Sequence, residues 1–217
     1  MNNVPFTLSQ VRPIRDAMTV SRPSGLGYGV PVTWFSLGAG TSITPEYYDC
    51  TTLYLGGEGN GKFLLGVDGQ EVSVKPGEVL YVPPKTLCGT KTDSGMIYTE
   101  IILKKENFTM NNIIKADQPT ELKNLISYEE GSIANLDIAH ADNMKFVLMA
   151  FDEGTGLTPH RAPGNAILTA LEGKAIIGYE GKDYELNAGE SFRFDKNGLH
   201  SVTAQGKFKM SLLLVIE

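Results

Sequence analysis

Cysteine, histidine and clustered basic residues are all scarce in this chain, and each scarcity narrows what it can be. Two cysteines, Cys50 and Cys88, in 217 residues are too few for the disulfide framework of a small secreted scaffold. Lys and Arg number 19 against 25 Asp and Glu, a formal charge of −6, and no basic block stands out. Binding a phosphate backbone needs a concentrated positive face, so nucleic acid is not an expected partner. No apolar run approaches the roughly 18 residues of a membrane-spanning helix, so no membrane partner is expected either. The opening stretch "MNNVPFTLSQVRPIRDAM" has no charged region leading into an apolar one, and a cytoplasmic protein is the default expectation. The acidic surplus serves solubility.

What the sequence does have is short apolar runs punctuated by glycine. Hydrophobic residues make up 41% and charged residues 20% of the chain, the balance of a globular protein, with length for one large domain or two of about 100 residues. Runs such as "VTWFSLG" (32–38), "EVLYVP" (78–83), "MIYTEIIL" (96–103), "KFVLMAF" (145–151) and "KMSLLLVI" (209–216) are β-branched or aromatic and bounded by turn residues, so they read as strands. "GVDGQE" (66–71) and "GYEGKD" (178–183) each set an acidic–Gly pair between such runs, a hairpin signal. No helical periodicity is sustained, and the fold class is all-β.

The strands repeat. "GKFLLGVDGQEVSVKPGE" (61–78) lies on "GKAIIGYEGKDYELNAGE" (173–190), 112 residues on, and "GTSITP" (40–45) lies on "GTGLTP" (154–159). Gly61, Lys62, Gly66, Gly69, Gly77 and Glu78 match identically in the second copy. A duplicated unit with one strand order is implied, connected through the more polar stretch from about Lys104 to Asn135.

These residues resemble the cupin superfamily, whose first motif has the form G-x5-H-x-H-x3-4-E-x6-G and whose second has the form G-x5-P-x-G-x2-H-x3-N. Gly154 and His160 fit the first motif, Gly189 and His200 the second, and Gly77 and Pro83 fit the second motif in the first copy. The resemblance implies a bicupin, two tandem jelly-roll barrels of double-stranded β-helix type, each wide enough for a small ligand. It implies an N-terminal extension (1–29), an N-terminal barrel lacking the histidine ligands (30–103), a connecting segment partly given to the barrels as strand (104–135), and a C-terminal barrel with a partial motif (136–217).

Metal-binding members of that family use three histidines and a glutamate. Carried over residue by residue, the first ligand is His160 and the last His200, while the second falls on Ala162 and the glutamate on Asn165. The motif's proline and closing Asn are replaced by Asp195 and Ala204. Two of four ligands remain, whereas sites that hold zinc or iron firmly use three or four protein ligands. The candidate pocket is therefore His160, Asn165 and His200. A divalent transition metal is the one cofactor to consider, held weakly through His160 and His200 with Asp195 added if its loop folds inward. Without metal, the two imidazoles remain acid/base or hydrogen-bonding groups.

The first barrel has Glu46 in place of His160 and Cys88 in place of His200. Glu46, Asp49, Cys50 and Cys88 could gather at one mouth, but their spacing fits no zinc pattern, and a nucleophilic Cys88 would need a base in a half that contains no histidine. A structural role is the favoured reading of this barrel. His140 matches no motif and reads as a surface residue. Trp34, Phe35, Tyr54, Tyr81, Phe192, Phe194 and Met210 read as core. Arg161 and Arg193 lie where an anionic ligand could be reached, or are simply exposed. The expectation is a small-molecule-binding protein using the C-terminal barrel. The alternatives are a metal-dependent enzyme of dioxygenase or isomerase type, and an inert oligomerisation module forming a homodimer.

Overall fold

The short runs between glycine turns fold into antiparallel strands throughout. The computed structural model describes residues 3–103 and 108–216. Residues 1–2 of the expected extension, 104–107 of the expected connection and residue 217 lie outside the described residues. A single helical turn, α1 (Leu8–Val11), precedes β1 (Thr19–Pro23), β2 (Val32–Leu37), β3 (Thr41–Glu46), β4 (Thr51–Gly59), β5 (Lys62–Leu65), β6 (Gln70–Ser73), β7 (Glu78–Val82), β8 (Cys88–Thr92) and β9 (Met96–Leu103). After β10 (Phe108–Met110), β11 (Thr120–Glu121) and a short 3-10 turn (Leu122–Asn124), the second series begins. It comprises β12 (Ile133–Ala141), β13 (Met144–Phe151), β14 (Gly156–Arg161), β15 (Asn165–Glu172), β16 (Lys174–Tyr179), β17 (Lys182–Asn187), β18 (Ser191–Phe194), β19 (Leu199–Ala204) and β20 (Phe208–Val215).

The pairing repeats with the sequence. In the first half β1-β2-β9-β4-β7-β11 form a large sheet and β3-β8-β5-β6 a smaller one. In the second half β10-β12-β13-β20-β15-β18 and β14-β19-β16-β17 do the same. Each half is thus a two-sheet jelly-roll barrel, and β10 and β11 from the connecting stretch join the second and the first large sheet respectively.

The turns repeat too. Gly77 and Gly189 take φ of +82° and +88°, the left-handed conformation the third residue of such a turn needs and glycine adopts without a Cβ clash. The following glutamates close both turns alike, Glu78 Oε2 accepting from Lys75 N at 2.8 Å and Glu190 Oε2 from Asn187 N at 2.7 Å. The two acidic–Gly hairpins differ in length. Leu65 pairs Gln70 across four residues, whereas Tyr179 pairs Lys182 across two, so the second hairpin has the tighter turn and the longer ladder.

Three apolar clusters hold the fold. One fills the first barrel (Leu37, Tyr54, Phe63, Leu80, Tyr98) and one the second (Phe151, Leu168, Phe192, Phe194, Phe208). The third lies between the two large sheets, where Val32, Leu53 and Ile101 meet Phe146, Leu148 and Leu213, sealed by Leu26, Ile114 and Leu122. The large sheets are therefore buried on both faces, which is why "MIYTEIIL" and "KMSLLLVI" are nearly continuous apolar runs rather than alternating ones. The N-terminal segment bridges the barrels. Phe6 pairs with Ser191 of β18, and Ser9 N donates to Glu58 of β4 at 2.8 Å.

Candidate functional site

Antiparallel pairing of β14 with β19 sets His160 directly opposite His200, after a register break between Leu157 and His160. The imidazole centroids are 4.3 Å apart and the rings tilted by 55°. His160 is exposed at the rim, while His200 is 6% exposed and stacks on Phe194 at 4.1 Å. His160 Nδ1 lies 2.8 Å from Thr158 O and His200 Nδ1 lies 2.9 Å from Gly198 O. A carbonyl only accepts, so both Nδ1 atoms carry the proton and the lone pair of a neutral ring falls on Nε2. Burial, with the neighbouring His160, holds the His200 pKa below the ordinary histidine value against the opposing pull of Gly198 O. His200 therefore stays neutral near pH 7.

The remaining sequence candidates are drawn elsewhere. Asn165 donates to Leu26 O at 3.0 Å and accepts from Lys196 N at 2.9 Å, pinning the N-terminal segment to the loop before β19 rather than completing the histidine pair. Asp195 pairs with Arg193 at 2.9 Å and accepts from Asn3 Nδ2 at 3.1 Å. Arg193 further donates to Ser24 O and Gly25 O at 3.2 and 2.9 Å, so its guanidinium is spent on backbone and not on a ligand. Arg161 donates to Asn197 O and lies 3.5 Å from Glu180 at the rim. His140 sits within β12, opposite Lys145, and is exposed. Among the described residues no set of three His, Cys, Asp or Glu side chains is close enough to hold a metal ion. Two imidazoles alone give a metal two points of attachment and leave the rest of its coordination to water, which does not fit a firmly held cofactor.

The first barrel repeats this geometry with different chemistry. Glu46 stands opposite Cys88, after the same break in register. Cys88 is buried, Cys50 half-buried, and both thiols are free. Behind this pair lie Tyr48, Tyr54, Tyr98 and Glu100 around a small cavity that Asp49 and Cys50 do not line. Spacing from the motifs does not reach Glu100. Its signal was a lone carboxylate within "MIYTEIIL", a strand buried on both faces. A larger apolar cavity of about 190 Å³ lies between the barrels, against Leu8, Trp34, Phe146, Ile167 and Leu213, away from either polar cluster.

Residues 147–216, the greater part of the second barrel, match the family described as "Cupin domain". No curated protein matches the sequence. Among solved structures, the chain is similar to a Cupin 2 conserved barrel domain protein from Leptotrichia buccalis, at 24% identity and a TM-score of 0.83, covering 97% of this chain and 95% of that one. It is also similar to salicylate 1,2-dioxygenase from Pseudoaminobacter salicylatoxidans, at 12% identity and a TM-score of 0.64, covering 91% of this chain and 73% of the enzyme. At these identities the likeness is one of fold.

Proposed function

We propose, for a protein of the cupin superfamily whose C-terminal barrel is a cupin domain and whose two halves share the cupin fold, that it binds a small molecule at the mouth of the C-terminal barrel. The observation that carries this reading is the facing pair His160 and His200, each with Nδ1 bound to a backbone carbonyl and Nε2 left as an acceptor. Two imidazoles 4.3 Å apart between ring centroids, with Nε2 turned from the backbone and the face of Phe194 behind His200, suit a small molecule presenting hydroxyl or other hydrogen-bond donors. A divalent ion adds to this site only weakly, because Ala162 offers no ligand and Asn165 and Asp195 are committed to other partners.

Elemental analysis of protein purified without a histidine tag, followed by titration with zinc and nickel chlorides, tests the reading. Substoichiometric metal as purified, and weak added-metal binding lost in the His160→Ala/His200→Ala double variant, are the expected results. Stoichiometric iron, manganese, nickel or zinc that depends on these histidines would instead establish the metal-dependent reading and overturn this one.

A further inference from the structure

The interior of the N-terminal barrel holds polar groups that barrel closure does not require. Register places Tyr54 opposite Glu100 and Gly56 opposite Tyr98 in the first barrel. The same positions of the second barrel are Leu168 opposite Leu212 and Ala170 opposite Met210. Where one barrel is filled by leucine and methionine, the other carries a carboxylate and two phenols around a cavity of about 30 Å³, room for a couple of water-sized groups.

The walls of that cavity are aromatic and acidic. Phe35 stacks on Tyr98 at 5.0 Å, and Tyr54 meets Tyr98 edge-on at 5.8 Å. Glu100 is 6% exposed, Glu46 marks the exposed rim, and no Lys, Arg or His is among the described residues lining the space. Thr90, 3% exposed, lines the same cavity beside the Tyr98 phenol, with an Oγ1 that closes no hydrogen bond of normal distance and angle. A buried carboxylate without a basic partner and an unpartnered buried hydroxyl facing one space both call for something to fill it.

We propose that this cavity is a binding site for a small organic cation, the ammonium head of a primary amine, held by Glu100 and Glu46 and enclosed by the rings of Phe35, Tyr48, Tyr54 and Tyr98. Carboxylates select a cation, and aromatic faces select an organic ammonium over a strongly hydrated metal ion. Glu46, Cys88 and Glu100 do not converge as a metal set. The other groups facing Glu100 stay neutral. Burial, with Glu100 and Glu46 adding to it, pushes the Tyr48 phenol up to about 12, and burial first of all raises Tyr54 and Tyr98. Burial pushes the Cys88 thiol up to about 12, against the pull of Tyr54. The cluster therefore offers hydrogen-bond acceptors and no thiolate nucleophile. Burial lifts Glu100 to about 7, while Tyr54 and Tyr48 pull it down by hydrogen bonding and Glu46 adds to the rise. A bound ammonium favours the carboxylate, so binding near pH 7 releases a proton.

Isothermal titration calorimetry of the full chain with methylammonium and propylammonium chloride tests the proposal, with sodium chloride and 1-propanol as controls at matched ionic strength. Binding of an alkylammonium but not of 1-propanol is expected. Weaker binding at pH 6 than at pH 8, a buffer-dependent proton release near pH 7, and a loss of about tenfold or more in Glu100→Gln are also expected. The His160→Ala/His200→Ala variant should bind the amine as the wild type does, which separates this site from the one at the other barrel. Glu46→Gln, at the exposed rim, provides a second variant and should weaken binding severalfold. No binding of either amine, equal binding of 1-propanol, or undiminished affinity in folded Glu100→Gln or in Glu46→Gln overturns the proposal.

Discussion

His200 and Glu100, one buried in each barrel, bias stability in opposite directions with pH. Burial lowers the His200 pKa from 6.5, so as pH falls below about 6.5 the unfolded chain takes up a proton that folded His200 resists, and stability drops. Glu100 is lifted from 4.5 to about 7. The folded state then holds the extra proton between those values, and this contribution is complete below about 4.5 and lost as pH rises through 7. At about 1.4 kcal/mol for each pH unit between the two values this amounts to roughly 3–4 kcal/mol. Melting temperatures at pH 5 and pH 8 check both signs. Glu100→Gln should gain on wild type at pH 8 and little at pH 5, while His200→Gln should flatten the loss between pH 6.5 and 5. A Glu100→Gln variant less stable than wild type at pH 8 would contradict this account of the carboxyl.

At the scale of elements, the N-terminal segment is held, at the connection between β1 and β2, by side chains from the far end of the sequence. Arg193 on β18, with its side chain 13% exposed, bonds Ser24 O, Gly25 O and Asp195, and Asn165 reaches Leu26 O. Arg193→Ala should cost about 2 kcal/mol and expose Arg12, Arg15 and Arg22 to limited trypsin digestion. Lysine should not rescue it, because a point charge cannot reproduce the planar fork. Unchanged melting and protease resistance would show that the segment is held by Phe6 and Leu26 alone. These contacts also explain what the sequence could and could not reveal. The duplication was legible because each half needs the same turns, and the correspondence of Glu46 with His160 and Cys88 with His200 follows from equal spacing between equal strands. The role of Asn165 was not legible, since its partner Leu26 is 139 residues away. Nor was the polar interior of the first barrel, because motif spacing follows the mouth of a barrel and Glu100 lies behind it. The reading of that barrel as structural rested on the spacing of Glu46, Asp49, Cys50 and Cys88, which fits no zinc pattern, and on the lack of a histidine base for Cys88, neither of which reaches Glu100 and the phenols behind the mouth.

At the scale of the whole molecule, the barrels share a core. The cluster between the large sheets takes Val32, Leu53, Val79 and Ile101 from one and Phe146, Leu148, Leu213 and Val215 from the other, so neither barrel can be removed without exposing one face of its partner's large sheet. Phe146, 1% exposed, stands in this shared layer. Phe146→Ala should cost roughly 3–5 kcal/mol, and both barrels should unfold in one transition when followed by calorimetry and by Trp34 fluorescence. Two separated transitions would show the barrels to be independent units. The arrangement keeps the two mouths chemically distinct within one folding unit, imidazoles at one and carboxylates with phenols at the other.

The central claim, that His160 and His200 hold a small molecule without needing a firmly bound metal, is tested most directly by thermal shift. Chelator-treated, tag-free protein would be melted with a panel of small hydroxylated metabolites, wild type beside His160→Ala/His200→Ala. The account predicts that some member of the panel raises the wild-type melting temperature with no metal added, and that the double variant does not respond. A response that appears only after stoichiometric zinc, iron, manganese or nickel is restored, or one that persists in the double variant, would contradict it.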